Sequence, residues 1–232
     1  GYELYTLFSK INSLYFEPFS NLPNFIKNAA QVVGKYVIPQ KKLKYIQLAA
    51  ENKELFWGGA NIFSEYDKNR ILKKINGYNT YDKIIKTFYD DYDNKNPNAA
   101  FLDRIIALDL HHRLPELLLM RIDKMAMANS VETRVPFLDH ELVEFALGIP
   151  HDLKVKDGIS KYVLKQAAKD IIPEKIINRK KLGFCGSASN MINGPILNYA
   201  EDIINGSDWM NDNFDLKNVN ELIKLHRYNK MD

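Results

Sequence analysis

The stretch that most constrains the fold is residues 113–139, RLPELLLMRIDKMAMANSVETRVPFLD. Pro115 stands where a helix begins, because it has no N–H to leave unsatisfied and its φ already suits the first turn. Apolar residues then occupy nearly every side: Leu117, Leu118, Leu119, Met120, Ile122, Met125 and Met127, with Ala126 and Ala128. A helix apolar all round is a buried helix. Arg121, Asp123 and Lys124 interrupt it, and Glu132, Arg134 and Asp139 follow. Charges set in apolar sequence are costly to bury unless paired. The pattern therefore predicts a central core helix and then an extended passage over 131–137. An ion-pair network of Asp123, Glu132, Arg134 and Asp139 laces the two, with Arg134 largely buried. Pro136 biases Val135 away from helical backbone, which ends the helix near Ser130.

The remaining chain can supply a core around such a helix. Its 232 residues suit one large domain or two small ones, and 46% hydrophobic with 26% charged residues is globular. Net charge is +3, from 32 basic and 29 acidic residues, too balanced to argue for nucleic acid. One cysteine, Cys185, excludes an intramolecular disulfide and fits a reducing cytoplasm. The start carries no signal-peptide pattern and no apolar run nears 18 residues, so no membrane span is expected. Helical spacing begins abruptly at Gly1 without a cap, as expected of a chain that begins partway through a larger protein.

Apolar spacing predicts helices over 1–12, 21–37, 41–53, 64–74, 81–92, 99–113, 140–147, 161–170, 173–177, 195–204 and 216–228. Ser64, Thr80 and Ser160 are their candidate caps. Without an alternating strand series, the chain should be mainly α. Leu55–Ala60, LFWGGA, has a glycine pair that could cradle phosphate, but no lysine follows, so it reads as a plain turn. Asp90, Asp91 and Asp93 read as a solvated helix end, since the spacing and glycine of a calcium loop are absent. His111 and His112 point about 100° apart on a helix and lack an i,i+4 histidine, so they read as partners of the helix dipole. No metal ligands are assigned.

Residues 153–184, LKVKDGISKYVLKQAAKDIIPEKIINRKKLGF, hold the best candidate for chemistry. Asp157-Gly158 makes a turn and Ser160 a cap, which places Lys161 in a helix's first turn. Free N–H groups and a positive dipole end favour anions there. A solvated lysine is the plain alternative. Lys154 and Lys156 add positive field, and Arg179, Lys180 and Lys181 form a second basic spot.

Leu114–Asp139 also resembles the signature of the glutamine-hydrolysing asparagine synthetase family. There a leucine–proline pair opens a helix carrying D-[RK]-x-x-M-A, and S-x-E-x-R-x-P-F-L-D follows. The matching residues are Asp123, Lys124, Met127, Ala128, Ser130, Glu132, Arg134, Pro136, Phe137, Leu138 and Asp139. The segment to Phe184 is similar to the family's next block, K-Y-x-L-[RK] and then R-K-K-x-G-F. The best-matched core is 114–184, within one helical domain or fragment spanning 1–232. The resemblance implies the helical carboxy-terminal portion of an adenine-nucleotide α-hydrolase-like (ATP-pyrophosphatase) synthetase domain.

For the whole enzyme the resemblance implies ATP with Mg²⁺, aspartate, and glutamine or ammonia as the nitrogen source. Asparagine forms through an acyl-adenylate. The lysine matching Lys161 contacts ATP phosphates and steadies charge on the departing pyrophosphate. The pattern is incomplete. After Gly183-Phe184 the family's proline and tryptophan give way to CGSASNMINGP. The pyrophosphatase loop S-G-G-x-D-S, the family's acidic segment S-x-E-x-x-D-E-x-x-x-G-Y (unless Gly1-Tyr2 is its very end) and the glutaminase domain with its leading cysteine are not found, and Cys185 is no candidate for that nucleophile. Nucleotide and metal are then bound mainly by residues outside this chain, its partner is an N-terminal domain of the same protein, and the chain alone is expected to be inactive. Two alternatives stand beside this reading. One is another carboxylate-adenylating member of the family, such as a β-lactam synthetase or a sugar-modifying amidotransferase. The other is a non-catalytic helical interaction module.

Overall fold

The computed structural model describes residues 3–37, 40–59, 63, 65–74, 81–179 and 192–228. The candidate caps Ser64 and Thr80, and Lys180, Lys181, Gly183, Phe184 and Cys185, lie outside them. The chain divides into two units, Gly1–Ala60 with Asn79–Ile177, and Asn61–Tyr78 with Asn178–Asp232. Helices dominate both, as the apolar spacing predicts.

In the first unit, Glu3–Ile11 continues through a π turn, Asn12–Phe16, into Glu17–Ser20. Asn24–Val37 and Gln40–Ala50 follow, then helical turns from Tyr81 into Thr87–Lys95, and Phe101–His111. Tyr5, Phe56, Tyr81, Ile85, Tyr89, Ile105 and Leu108 form the core. The loop 54–57 enters this core, so its backbone polar groups need partners. Tyrosines provide two of them: Glu54 N–H donates to Tyr81 Oη (3.1 Å), and Tyr89 Oη donates to Phe56 O (3.0 Å). Burial first, and then the charge of Glu54, push the Tyr89 phenol well above the usual tyrosine range, so it stays a donor.

The acidic helix end is exposed, as expected of a solvated cluster, and each of its carboxylates has a cation beside it. Asp90 pairs with Lys86 and Asp91 with Lys95, both at i,i+4 spacing. Asp93 takes a two-pronged contact from Arg104, at 2.8 Å on each oxygen. Arg104 also reaches Glu54 and lies 4.6 Å over the Tyr89 ring.

The helix expected at the centre of the core is elsewhere. Residues 113–127 are helical, a π turn at Arg113–Leu119 leading into Met120–Met127. Yet Met125 is 72% and Phe137 71% exposed, and Ile122, Met127, Val131 and Val135 also face solvent. Within this unit the helix leaves the core after His111, and among the described residues no layer covers its far side. Periodicity reports which residues prefer burial; whether a second layer exists is a tertiary matter. The helix does end where Pro136 predicts, with Ser130 in the left-handed region (φ 57°). Pro136–Leu138 makes one 3₁₀ turn, and His140–Gly148 and His151–Lys154 follow.

In the second unit, Glu65–Ile71 runs into an antiparallel bridge between Leu72 and Phe214. Lys73 N–H donates to Asn213 O and Asp215 N–H to Ile71 O. Pro195–Gly206 and Leu216–Arg227 match the expected helices, while the short helix Asp208–Asn213 between them is not marked by apolar spacing. Ser207 and Asp215 cap the last two helices.

Candidate functional site

Lys161 sits at the end of a small hairpin. Val155 pairs with Ser160 and Lys156 with Ile159. Asp157 (φ 51°) and Gly158 (φ 78°) both have positive φ, which is what a two-residue hairpin turn needs and why Asp-Gly suits it. Ser160 is therefore a strand residue, where the sequence suggests a cap. The helix is Tyr162–Ala167, and Lys161 is its N-cap in left-handed backbone, φ 57° and ψ 36°. A helix of six residues has too little dipole to attract an anion, so any phosphate contact rests on the ammonium itself.

The neighbouring lysines are occupied. Lys154 Nζ donates to Leu147 O at 2.8 Å and lies 3.5 Å from Asp103 Oδ1. Lys156 Nζ sits 5.1 Å over the Tyr162 ring. Lys161 is exposed, and among the described residues no carboxylate pairs with it.

The expected ion-pair network separates into parts. Arg134 pairs with Glu132 at 2.8 Å, but the two side chains are 82% and 68% exposed. Their pair carries little energy, because water screens it. Asp139 instead caps His140–Gly148, accepting from Glu141 N–H (3.1 Å) and Leu142 N–H (3.3 Å). Asp123 lies exposed on Met120–Met127. The burial predicted for Arg134 is thus corrected: with no covering layer, nothing desolvates these charges.

A buried carboxylate that the motifs do not single out is Asp109, 4% exposed. It accepts from Tyr5 Oη at 2.7 Å and from Gly59 N–H at 2.8 Å, with Arg113 Nη1 3.6 Å away. The Gly59 amide is thereby committed to a carboxylate rather than to a phosphate. A Cβ at Gly59 would lie 2.4 Å from Arg113 Nη1 and 3.0 Å from Asp109 Oδ2, so a larger residue there would push the end of the Arg113 side chain aside. The chain does carry a signal for it: Asp109 follows Leu102 and Ile105 on one helical face, at i+7 and i+4, where an apolar residue is expected.

A cleft of about 540 Å³ is lined by Tyr92, Asn98, Asp103, His111 and Leu147, and Lys161 is not among its walls. Two of its polar groups are already engaged: His111 Nδ1–H donates to Ala107 O (2.8 Å), the helix-end role expected of it, and Asp103 accepts from His151 Nε2–H (2.7 Å). Among the described residues no group of carboxylate, imidazole or thiol side chains gathers to hold a metal, so Mg²⁺ is assigned no ligand.

His112 packs edge-on against Phe88 at 5.4 Å. Burial first, then the neighbouring His111, hold it below the ordinary histidine value of 6.5. The unfolded chain then takes up the proton before the folded one as pH falls. Stability is expected to drop as pH goes below about 6.5 and through the folded value. His112→Phe should flatten that part of the pH–stability curve measured by urea unfolding. An unchanged slope would remove His112 from the effect.

The comparisons with known proteins agree with the motifs. The family model described as asparagine synthase matches residues 1–231. Asparagine synthetase [glutamine-hydrolyzing] 1 of Bacillus subtilis is 33% identical over 186 residues, 79% of this chain and 28% of that protein. A putative asparagine synthetase [glutamine-hydrolyzing] of Mycobacterium bovis is 28% identical over 231 residues, 98% of this chain and 34% of that protein. Asparagine synthetase [glutamine-hydrolyzing] of Gallus gallus is 40% identical over 68 residues, 28% of this chain and 12% of that protein. The chain thus spans about a third or less of the length of these relatives. No solved structure matches. With a family model running over nearly the whole length, this chain belongs to the asparagine synthase family.

Proposed function

We propose that the protein carrying this chain makes asparagine. The aspartate side-chain carboxylate attacks the α-phosphorus of ATP, giving an acyl-adenylate and pyrophosphate. Ammonia released from glutamine then attacks the acyl carbon, giving asparagine and AMP. The observation that carries this reading is the similarity to glutamine-hydrolysing asparagine synthetases along residues 1–231, with the Leu114–Asp139 motif inside it.

In this reading the chain supplies the helical carboxy-terminal part of the synthetase domain, and cytoplasm is its expected compartment. No described helix is long and apolar enough to cross a membrane. The exposed apolar residues of 120–176 support a structural role for the chain in something larger. Met125, Phe137, Phe145 and Ile171 belong to one continuous stretch of sequence with few buried positions, and such surface on a soluble protein marks an interaction site. The nucleotide-binding part of the synthetase domain is the proposed cover, with the glutaminase domain before it. Lys161 is the proposed contact to ATP phosphates, and Mg²⁺ is proposed to enter with the nucleotide.

The test is direct. The full-length protein, given aspartate, ATP, Mg²⁺ and glutamine, should produce asparagine, AMP and pyrophosphate in equal amounts. The 232-residue chain alone should release no AMP from aspartate, ATP and ammonia. AMP formation dependent on a different carboxylate would reassign the substrate, and AMP release by the isolated chain would refute the division of labour.

A further inference from the structure

Resting on that reading of Lys161, we infer that Asp103 is a positioning residue that holds the Lys161 hairpin in place from the core. Asp103 lies in the first turn of Phe101–His111. That helix is anchored two residues on by Ile105, which is fully buried, and by Leu108. The carboxylate therefore stands on a helix that is packed into the core of the first unit.

Both of its oxygens reach the same turn of another element. Oδ2 accepts from His151 Nε2–H at 2.7 Å, and Oδ1 lies 3.5 Å from Lys154 Nζ. His151 and Lys154 are the first and last residues of the helical turn His151–Lys154, at i,i+3 spacing on one face. Lys154 Nζ also donates to Leu147 O (2.8 Å), so the same ammonium ties the end of the preceding helix. Its side chain is only 15% exposed, unusual for a lysine on so exposed a segment.

What this turn feeds is the hairpin. Val155 begins the first strand directly after Lys154, the Asp157-Gly158 turn reverses the chain, and Ser160 hands over to Lys161. The hairpin has two residue pairs, and a hairpin that short is not stable by itself. Leu153, Ile159 and Leu164 around it are exposed, so apolar packing does little to hold it. The Asp103 grip on both ends of the preceding turn is then what sets the direction in which the hairpin leaves the core, and with it the position of the Lys161 ammonium. A displacement of about 1 Å in a charge-stabilising group is enough to cost a hundredfold in rate.

The test uses the full-length protein and four forms: wild type, Asp103→Asn, Lys161→Ala and the double variant. Asp103→Asn keeps shape and removes the charge that holds Lys154. It is expected to lower kcat for AMP formation tenfold or more, with KM for ATP changed less than threefold. In the Lys161→Ala background it should lower kcat less than twofold, because there is no ammonium left to position. Hydrogen exchange should speed up in peptides covering 151–162 while those covering 104–111 keep their protection. Lys154→Met, which leaves the core carboxylate in place, should reproduce the exchange pattern. Equal losses from Asp103→Asn with and without Lys161 would show a merely structural role and overturn the proposal, as would unchanged exchange over 151–162. Should Lys161→Ala itself turn over normally, the functional reading of Lys161 fails and the positioning proposal falls with it. A slow Lys161→Ala beside a normal Asp103→Asn overturns the positioning proposal alone.

Discussion

Asp109→Ala is expected to destabilise the protein by about 3–5 kcal/mol, the scale for removing one member of a buried charged network. Three groups lose their acceptor at once. Tyr5 Oη and the Gly59 amide lose their bonds to this carboxylate, and Arg113 loses the charge beside it. A buried unsatisfied donor costs about 1–3 kcal/mol by itself, so the sum reaches that range even after partial relaxation. Asp109→Asn preserves the shape and one acceptor oxygen, and should cost clearly less. Tyr5→Phe in the Asp109→Ala background should add little beyond lost packing, because the hydrogen bond it would remove is already gone. Urea unfolding of the full-length protein, followed by fluorescence of Trp57 beside Tyr81, reads all four forms. A loss under about 1 kcal/mol for Asp109→Ala would mean that water readily replaces the carboxylate.

Lys161→Ala in the full-length protein is expected to lower kcat roughly a hundredfold or more, the scale for one preorganised charge-stabilising group. KM for ATP should change much less, since the partner is the charge that develops on pyrophosphate as it departs. Folding should be unaffected: Lys161 is exposed, and alanine meets the same left-handed backbone that lysine does. That backbone supplies a control. A non-glycine residue in this region carries strain of order 1–2 kcal/mol, so Lys161→Gly should match the alanine variant in turnover while unfolding at a slightly higher temperature. Lys161→Arg should recover little, because a planar fork does not replace a compact ammonium. Near-normal turnover of Lys161→Ala would make it an ordinary solvated lysine.

Much of this protein is legible in its residues alone. Apolar spacing locates the principal helices, Pro136 predicts the end of the 113–127 helix, and Asp157-Gly158 predicts the turn of the hairpin. The Leu114–Asp139 motif points to the family that the whole chain matches. These are local properties, written in the residues that carry them: a proline's missing N–H, a glycine's freedom, a side chain's place on a helical face. Three matters are decided by tertiary structure. Burial of Met125, Phe137 and Arg134 depends on a layer that their own sequence cannot supply, and in this chain they face solvent. Asp109 interrupts an apolar face, and its partners Tyr5 and Gly59 come from distant parts of the chain. Lys154 adds to the field around Lys161 by its place in the sequence, but Asp103, far earlier in the chain, draws it inward. Electrostatic partnership is set by distance in space, and the chain's order along its length does not encode it.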